Sequence, residues 1–175
     1  GIGCYHQVTV GDNPERLSRT IETALSRADL VVTCGGLGPT VDDITLETIA
    51  RVTQTPLRLN RPLLRKMEQR FRHLRLTMPP SNRRQAMIPV GGQVLPNTTG
   101  TAPGFLLRLK GHSASAPSPP PSPSRGEGKP AYRPGRGEGE KYIVALPGPP
   151  SELIPMVEKH LIPLLRPLAG QGIIR

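Results

Sequence analysis

The stretch DLVVTCGGLGPTVDD at 29–43 limits the possible folds more than any other part of the chain. Leu30, Val31 and Val32 lead through Thr33 and Cys34 into Gly35, Gly36 and Gly38. The apolar run is too short for a helix and has no polar face, which predicts a central parallel strand covered on both sides. Upstream, CYHQVTV at 4–10 alternates loosely and ends in β-branched residues, so it reads as a strand. Between the two, GDNP supplies a turn and a cap, from Asp12 or Asn13, for a helix whose first turn accepts Pro14. Leu17, Ile21, Ala24, Leu25 and Ala28 recur at helical spacing and give that helix one buried stripe. Strand, helix, strand and glycine loop make a βαβ unit that ends at a ligand loop.

Further along, Leu46, Ile49 and Ala50 fit a short helix starting at 43–45, and Asn60 caps a longer one carrying Leu63, Met67 and Phe71 on one side. MPPSNRRQAMIP at 78–89 is bounded by prolines and holds one helical turn; 93–95 is a short strand. GFLLRLK at 104–110 and KYIVAL at 141–146 are strands. The stretch 146–165 is an amphipathic helix, with Ser151 as its N-cap and Pro155 and Pro163 disturbing its regularity.

Between those last two strands lies GHSASAPSPPPSPSRGEGKPAYRPGRGEGE, in which 18 of 30 residues are Pro, Gly or Ser. Such a composition buries too little apolar area to offset the entropy of ordering, so 111–140 is expected to be a disordered insertion at a hairpin tip. The 175 residues otherwise suit one α/β domain, formed by 1–110 and 141–168, with 169–175 as a tail.

The net charge of +10 suits the capture of a phosphorylated metabolite. With only five aromatic residues the chain has few rings on which to stack bases, so no specific nucleic-acid partner is expected. Two cysteines, Cys4 and Cys34, give neither a disulfide framework nor metal spacing; buried reduced thiols and a cytoplasmic location are expected. No stretch has the length of a membrane span, and no membrane partner is expected.

The glycine loop carries the first chemistry. Glycines at a strand end let backbone N–H groups turn toward a phosphate, although packing alone also produces such loops. Asp42 and Asp43 follow it. One of them could cap a helix, but two carboxylates beside a phosphate cradle suggest a hard cation such as Mg²⁺, held by carboxylates and substrate phosphate together. A second glycine-proline turn, 146–152, and a third polar turn, 97–104, would face the same crevice at the carboxyl ends of the strands.

GGLGPTVDDITLETIA, MPPSNRRQAMIP, LPNTTGTAPGF and LPGPPSEL, in that order, closely resemble the N-terminal domain of the competence/damage-inducible protein CinA family, within the molybdopterin-binding superfamily of MoaB- and MogA-like proteins. The resemblance implies an α/β fold, a three-layer α/β/α arrangement with a mostly parallel sheet. It also implies an ADP-ribose pyrophosphatase activity dependent on a divalent metal, Mg²⁺ or Co²⁺. It assigns phosphate or nucleotide binding to Gly35, Gly36, Gly38, Thr40, Asn82, Gly100, Thr101, Pro147, Gly148, Ser151 and Glu152. Catalysis falls to Asp43, Asp42 and Arg83, with both aspartates on the metal. A phosphorylated small molecule, a nucleotide sugar or a pterin, is the implied partner, and a homo-oligomer is expected. The Gly-Thr-Glu-Leu phrase that opens family members is missing here, which removes one wall of the expected pocket. Three readings follow: a nucleoside-diphosphate-sugar hydrolase, a molybdopterin-binding or adenylylating domain, and a remnant without turnover.

Deleting 113–138 should leave the fold intact and the thermal melting point no lower, since the lengthened loop costs only about 2 kcal/mol of closure entropy, which the deletion returns. A drop of several degrees in the deletion variant would show that the segment packs on the domain.

Overall fold

The computed structural model describes residues 4–109 and 140–170. The expected insertion, apart from Glu140, and 171–175 of the expected tail lie outside them. The chain begins its regular structure with α1 (Pro14–Arg27), where Asn13 Oδ1 accepts hydrogen bonds from the N–H groups of Glu15 and Arg16. There follow β1 (Leu30–Cys34), α2 (Thr45–Val52), β2 (Leu57–Leu59) and α3 (Arg61–His73). Asn60 caps α3 by accepting from the Leu63 N–H. A 3₁₀ turn (Pro80–Ala86) then leads to β3 (Met87–Pro89), β4 (Gln93–Leu95), β5 (Gly104–Leu109) and β6 (Lys141–Leu146).

The final helical segment is α4 (Pro150–Met156), a π turn (Val157–Leu161) and α5 (Ile162–Gly170). It starts one residue before Ser151, which makes no cap bond; Pro149 holds the N-cap position and Pro150 the first helical one. Proline at that position has its φ already set for a helix, so no side-chain cap is required to start the turn. Pro155 and Pro163 flank the π turn, where the missing proline N–H groups favour a change of hydrogen-bond register.

The main sheet has the order β1-β6-β5-β4, and β2 pairs with β3 in a separate two-stranded sheet. Alternate residues of the central strands face opposite cores. Phe105, Leu107, Ile143 and Ala145 join α1 and α2 on one side. Leu106, Tyr142, Val144 and Leu146 meet Met156, Leu161 and Leu165 on the other. Helices thus cover both faces, and the architecture is the expected three-layer α/β arrangement.

Three expectations are corrected. The sheet is mixed: β1 runs parallel to β6, but β5–β6 and β4–β5 are antiparallel. β5 and β6 follow one another as a hairpin, which forces opposite directions. Second, β1 is an edge strand among the described residues, and Val32 is 44% exposed. Third, residues 4–10 form no strand, and Tyr5 and Val8 lie open to solvent. They hydrogen-bond to no neighbouring strand, and an extended segment without a ladder has nothing to hold it in register. Within the same uncovered part of the chain, Cys4 on the segment without a ladder and Cys34 on the edge strand are free thiols on exposed residues, not buried ones.

Phe105 is buried at the centre of the α1/α2 face. Phe105→Ala should cost about 3–5 kcal/mol in urea unfolding, as for other buried aromatic truncations. A loss below about 1 kcal/mol, at the level of a surface change, would show that this face is not the main core.

Candidate functional site

Strand register brings three turns to one end of the sheet. Cys34 of β1 is opposite Leu146 of β6, and Phe105 at the start of β5 is opposite Ala145. The glycine loop after β1 and the proline-rich turn after β6 therefore leave side by side. The Gly35 N–H donates to the Leu146 carbonyl at 2.9 Å. A Cβ placed on Gly148 would lie 3.4 Å from the Gly35 Cα, so the two turns pack backbone against backbone. Gly35 and Gly36 have φ of +97° and +67°, and a Cβ on Gly36 would run into the Thr45 hydroxyl. Left-handed backbone of this kind favours glycine.

Asp43 folds back into the loop rather than capping α2, whose N-cap position is Ile44 without a side-chain bond. Its Oδ2 accepts from the Thr40 N–H at 2.9 Å and from the Thr40 hydroxyl at 2.5 Å. The carboxylate lies where a Cβ on Gly38 would be, which explains glycine at that position. Desolvation raises the Asp43 pKa, but the hydrogen bonds from Thr40 and from the Gly38 N–H, with the Arg84 charge nearby, outweigh it and hold the carboxyl below the usual range. The loop donors that could meet a phosphate thus already hold an internal anion.

Arg84 ties this loop to the 3₁₀ turn. Its Nη1 donates to the Thr40 carbonyl at 2.7 Å, Nη2 to the Asp43 carbonyl at 2.9 Å, and Nε to Glu47 Oε1 at 2.7 Å. Glu47 Oε2 is buried without a partner. Beside Arg84, buried Asn82 donates to Gln85, and Gln85 donates to the Leu37 carbonyl at 3.3 Å. Arg83, the arginine expected to meet developing charge, is exposed, and the bonds to the loop come from its neighbour Arg84. A 3₁₀ turn rotates each residue by about 120°, so the two side chains leave the turn in different directions.

The third turn is held by side chains. Asn97 Oδ1 accepts from the N–H groups of Thr99 and Gly100, while its Nδ2 donates to the Ala102 carbonyl and to Glu152 Oε2 at 2.6 Å. Glu152 occupies the space a side chain on Gly100 would need. From α3, Arg70 donates to the carbonyls of Thr98, Thr99 and Gly100. The Gly100 N–H is consequently committed inside the turn, and Thr101 borders a cleft against α3.

The structure therefore joins Gly36, Gly38, Thr40 and Asp43 in one loop, Gly35 with Gly148, and Glu152 with Gly100. Buried Pro147 precedes this contact, whereas Asp42 and Ser151 are exposed. Sequence reading missed Arg84, Gln85, Glu47, Arg70 and Asn97. The doubled arginine and the polar run at 82–85 were the available signals, yet spacing alone does not say which arginine turns inward. Among the described residues no group of three or more His, Cys, Asp or Glu side chains comes together. Asp42 is exposed and Asp43 Oδ2 already accepts two bonds from Thr40, so a divalent cation here would draw most of its ligands from substrate phosphate and water.

The sequence matches the family model described as a probable molybdopterin binding domain over residues 1–167. The chain belongs to this family. It is similar to a CinA-like protein of Nostoc punctiforme, 42% identical over 166 residues, covering 95% of this chain and 33% of that protein. A CinA-like protein of Dictyoglomus turgidum is 38% identical over 174 residues, or 99% of this chain and 35% of its own. This CinA-like domain spans about one third of the length of these curated relatives. The crystal structure of CinA from Thermoplasma acidophilum, titled as a protein with unknown function, superposes with a TM-score of 0.60 at 26% identity. That match covers 85% of this chain and 69% of that one. Among the described residues no helix is long and apolar enough to cross a membrane.

The lowered Asp43 pKa fixes the sign of a pH effect. Its stabilising contribution is full above the unfolded carboxyl value of about 3.9 and is lost as pH falls through the lower folded value. Asp43→Asn should therefore melt below the parent at pH 7, with the gap closing as pH falls toward 3. A gap independent of pH would show that the carboxylate charge contributes nothing to the loop.

Proposed function

We propose that this CinA-like domain binds the diphosphate of a nucleoside-diphosphate sugar at the three-turn end of its sheet and hydrolyses it, with ADP-ribose as the substrate. The observation that supports this most is the Gly35–Gly148 contact, which sets two glycine turns against each other. An anion at the rim of this contact would meet backbone rather than side chains. The Thr40 donors already bind the Asp43 carboxylate, so this loop accommodates negative charge.

In this reading Arg84 keeps the loop in position by holding two of its carbonyls, so the donors remain aimed when the ligand arrives. Asn82 and Gln85 fix the Leu37 carbonyl from below. Exposed Arg83 is free to reach the negative charge that builds on the phosphoryl group. Asp42 and Asp43 would hold Mg²⁺ or Co²⁺ together with substrate oxygens, and the cation would polarise a phosphoryl oxygen. Water adds at one phosphorus, the bridging P–O bond breaks, and ADP-ribose gives AMP and ribose 5-phosphate. The family match favours a second reading, in which the same turns hold the phosphate of a pterin without hydrolysis. Either ligand belongs to the cytoplasm, and a homo-oligomer accords with both.

Incubation with ADP-ribose and Mg²⁺ or Co²⁺ should release AMP. Asp43→Asn keeps the size of the side chain but removes the charge, and should lower metal-dependent turnover at least tenfold, within the range of a lost transition-state contact. Asp42→Asn should have the smaller effect. Absence of AMP together with tight pterin binding would establish the second reading. On a DNA duplex, the basic residues between Arg58 and Arg84 should give only salt-sensitive retention without sequence preference. Retention that survives high salt and depends on sequence would contradict the small-molecule assignment of that charge.

A further inference from the structure

The Arg84 guanidinium meets two elements at once. Nη1 and Nη2 hold the Thr40 and Asp43 carbonyls of the glycine loop, and Nε donates to Glu47 Oε1 at 2.7 Å. Glu47 stands in the first turn of α2, which is fixed to the same loop by the Thr45 N–H, a donor to the Gly36 carbonyl at 3.1 Å. Buried Leu46, Thr48 and Ile49 seat this turn in the core. Further along α2, Arg51 donates to the Pro14 carbonyl and the Ser18 hydroxyl of α1. Glu47 therefore transmits the position of two packed helices to an arginine carried on a short 3₁₀ turn.

The Glu47 carboxylate is held there at a cost. Its Oε2 is buried and has no hydrogen-bond partner among the described residues, and a buried acceptor without a donor destabilises the fold. A glutamate in a first turn gains from the helix dipole, but a fully solvated one would gain it without burying an oxygen. The return lies in what Oε1 does for Arg84. A guanidinium is a rigid planar fork, so fixing Nε also fixes the directions of Nη1 and Nη2.

We infer that Glu47 is a positioning residue for the phosphate loop and that it acts through Arg84. The carboxylate sets the plane of the guanidinium, the guanidinium holds the Thr40 and Asp43 carbonyls, and these hold the Thr40 donors in place. This rests on the phosphate-binding reading of the glycine loop. The sign of the effect separates positioning from plain electrostatics: a carboxylate near an anion repels it, so losing the charge alone would tighten binding, whereas losing a positioning group weakens it.

Two readouts test the inference without relying on turnover: calorimetric titration with AMP in Mg²⁺, and hydrogen exchange at the Thr40 amide, which donates to Asp43. Glu47→Ala should weaken AMP binding about tenfold, the scale of one hydrogen bond to a charged group, and should speed exchange at Thr40. Arg84→Ala should do at least as much. The double alanine variant should match Arg84→Ala in both readouts, because a residue that acts through another has nothing left to act on. Glu47→Gln keeps the acceptor for Nε and should restore AMP affinity to within about threefold of the parent. The Glu47 side chain is partly exposed, so these replacements spare the core. Tighter AMP binding in Glu47→Ala and Glu47→Gln, effects that add in the double variant, or no change in either readout would each overturn the inference. A parent that binds no AMP but shows the expected exchange pattern would sink the phosphate reading and leave Glu47 supporting the loop through Arg84.

Discussion

The parallel pairing of β1 with β6 is the constraint on which the rest of the structure depends. It sets Cys34 against Leu146, so the chains leaving both strands must pass one another at the same height. They can do so only where backbone meets backbone, and Gly35 and Gly148 stand at that crossing. At Gly35 the left-handed φ of +97° itself favours glycine, and a Cβ on Gly148 would already be in van der Waals contact with Gly35. The candidate site is thus a product of strand register first and of side-chain chemistry second, as in open α/β sheets generally.

Around this crossing the loops are irregular, and irregular backbone near a core must find partners for its polar groups. Two arginines supply them from a distance in sequence. Arg84, some 40 residues after the glycine loop, binds two of its carbonyls. Arg70, about 30 residues before the third turn, binds three consecutive carbonyls there. A guanidinium suits such work because its donors form a rigid planar fork that can serve several acceptors at once. The cations that composition alone would assign to a solvated face or to a substrate are in part structural ties. They give the loops the preorganisation that a binding site needs.

Much of the fold is legible in the sequence because it follows from local rules. Asn13 and Asn60 act as the caps that their positions indicate, and the apolar runs at 104–109 and 141–146 are strands buried on both faces. The short element around 80–86 also follows from its proline boundaries. Elements that need a partner are less legible. Residues 4–10 have the composition of a strand but no ladder to join, and β1 lies at an edge despite its central-strand pattern. Period and propensity describe what a segment can become, whereas pairing depends on neighbours that no local window contains.

The same division holds at the site. The sequence by itself determined the residue types at the three turns, with glycine where the backbone must turn left-handed or approach another strand, and an aspartate within reach of the loop donors. It also determined the family, through four ordered motifs. Tertiary structure alone decided that Asp43 turns inward onto Thr40 rather than outward, that Arg84 and not Arg83 meets the loop, and that Glu152 locks the third turn through Asn97. The physical reason is that the direction of a side chain depends on helix phase and packing across contacts far apart in the chain. A one-residue step in a 3₁₀ turn decides which of two adjacent arginines meets the loop, and only the assembled sheet fixes that phase.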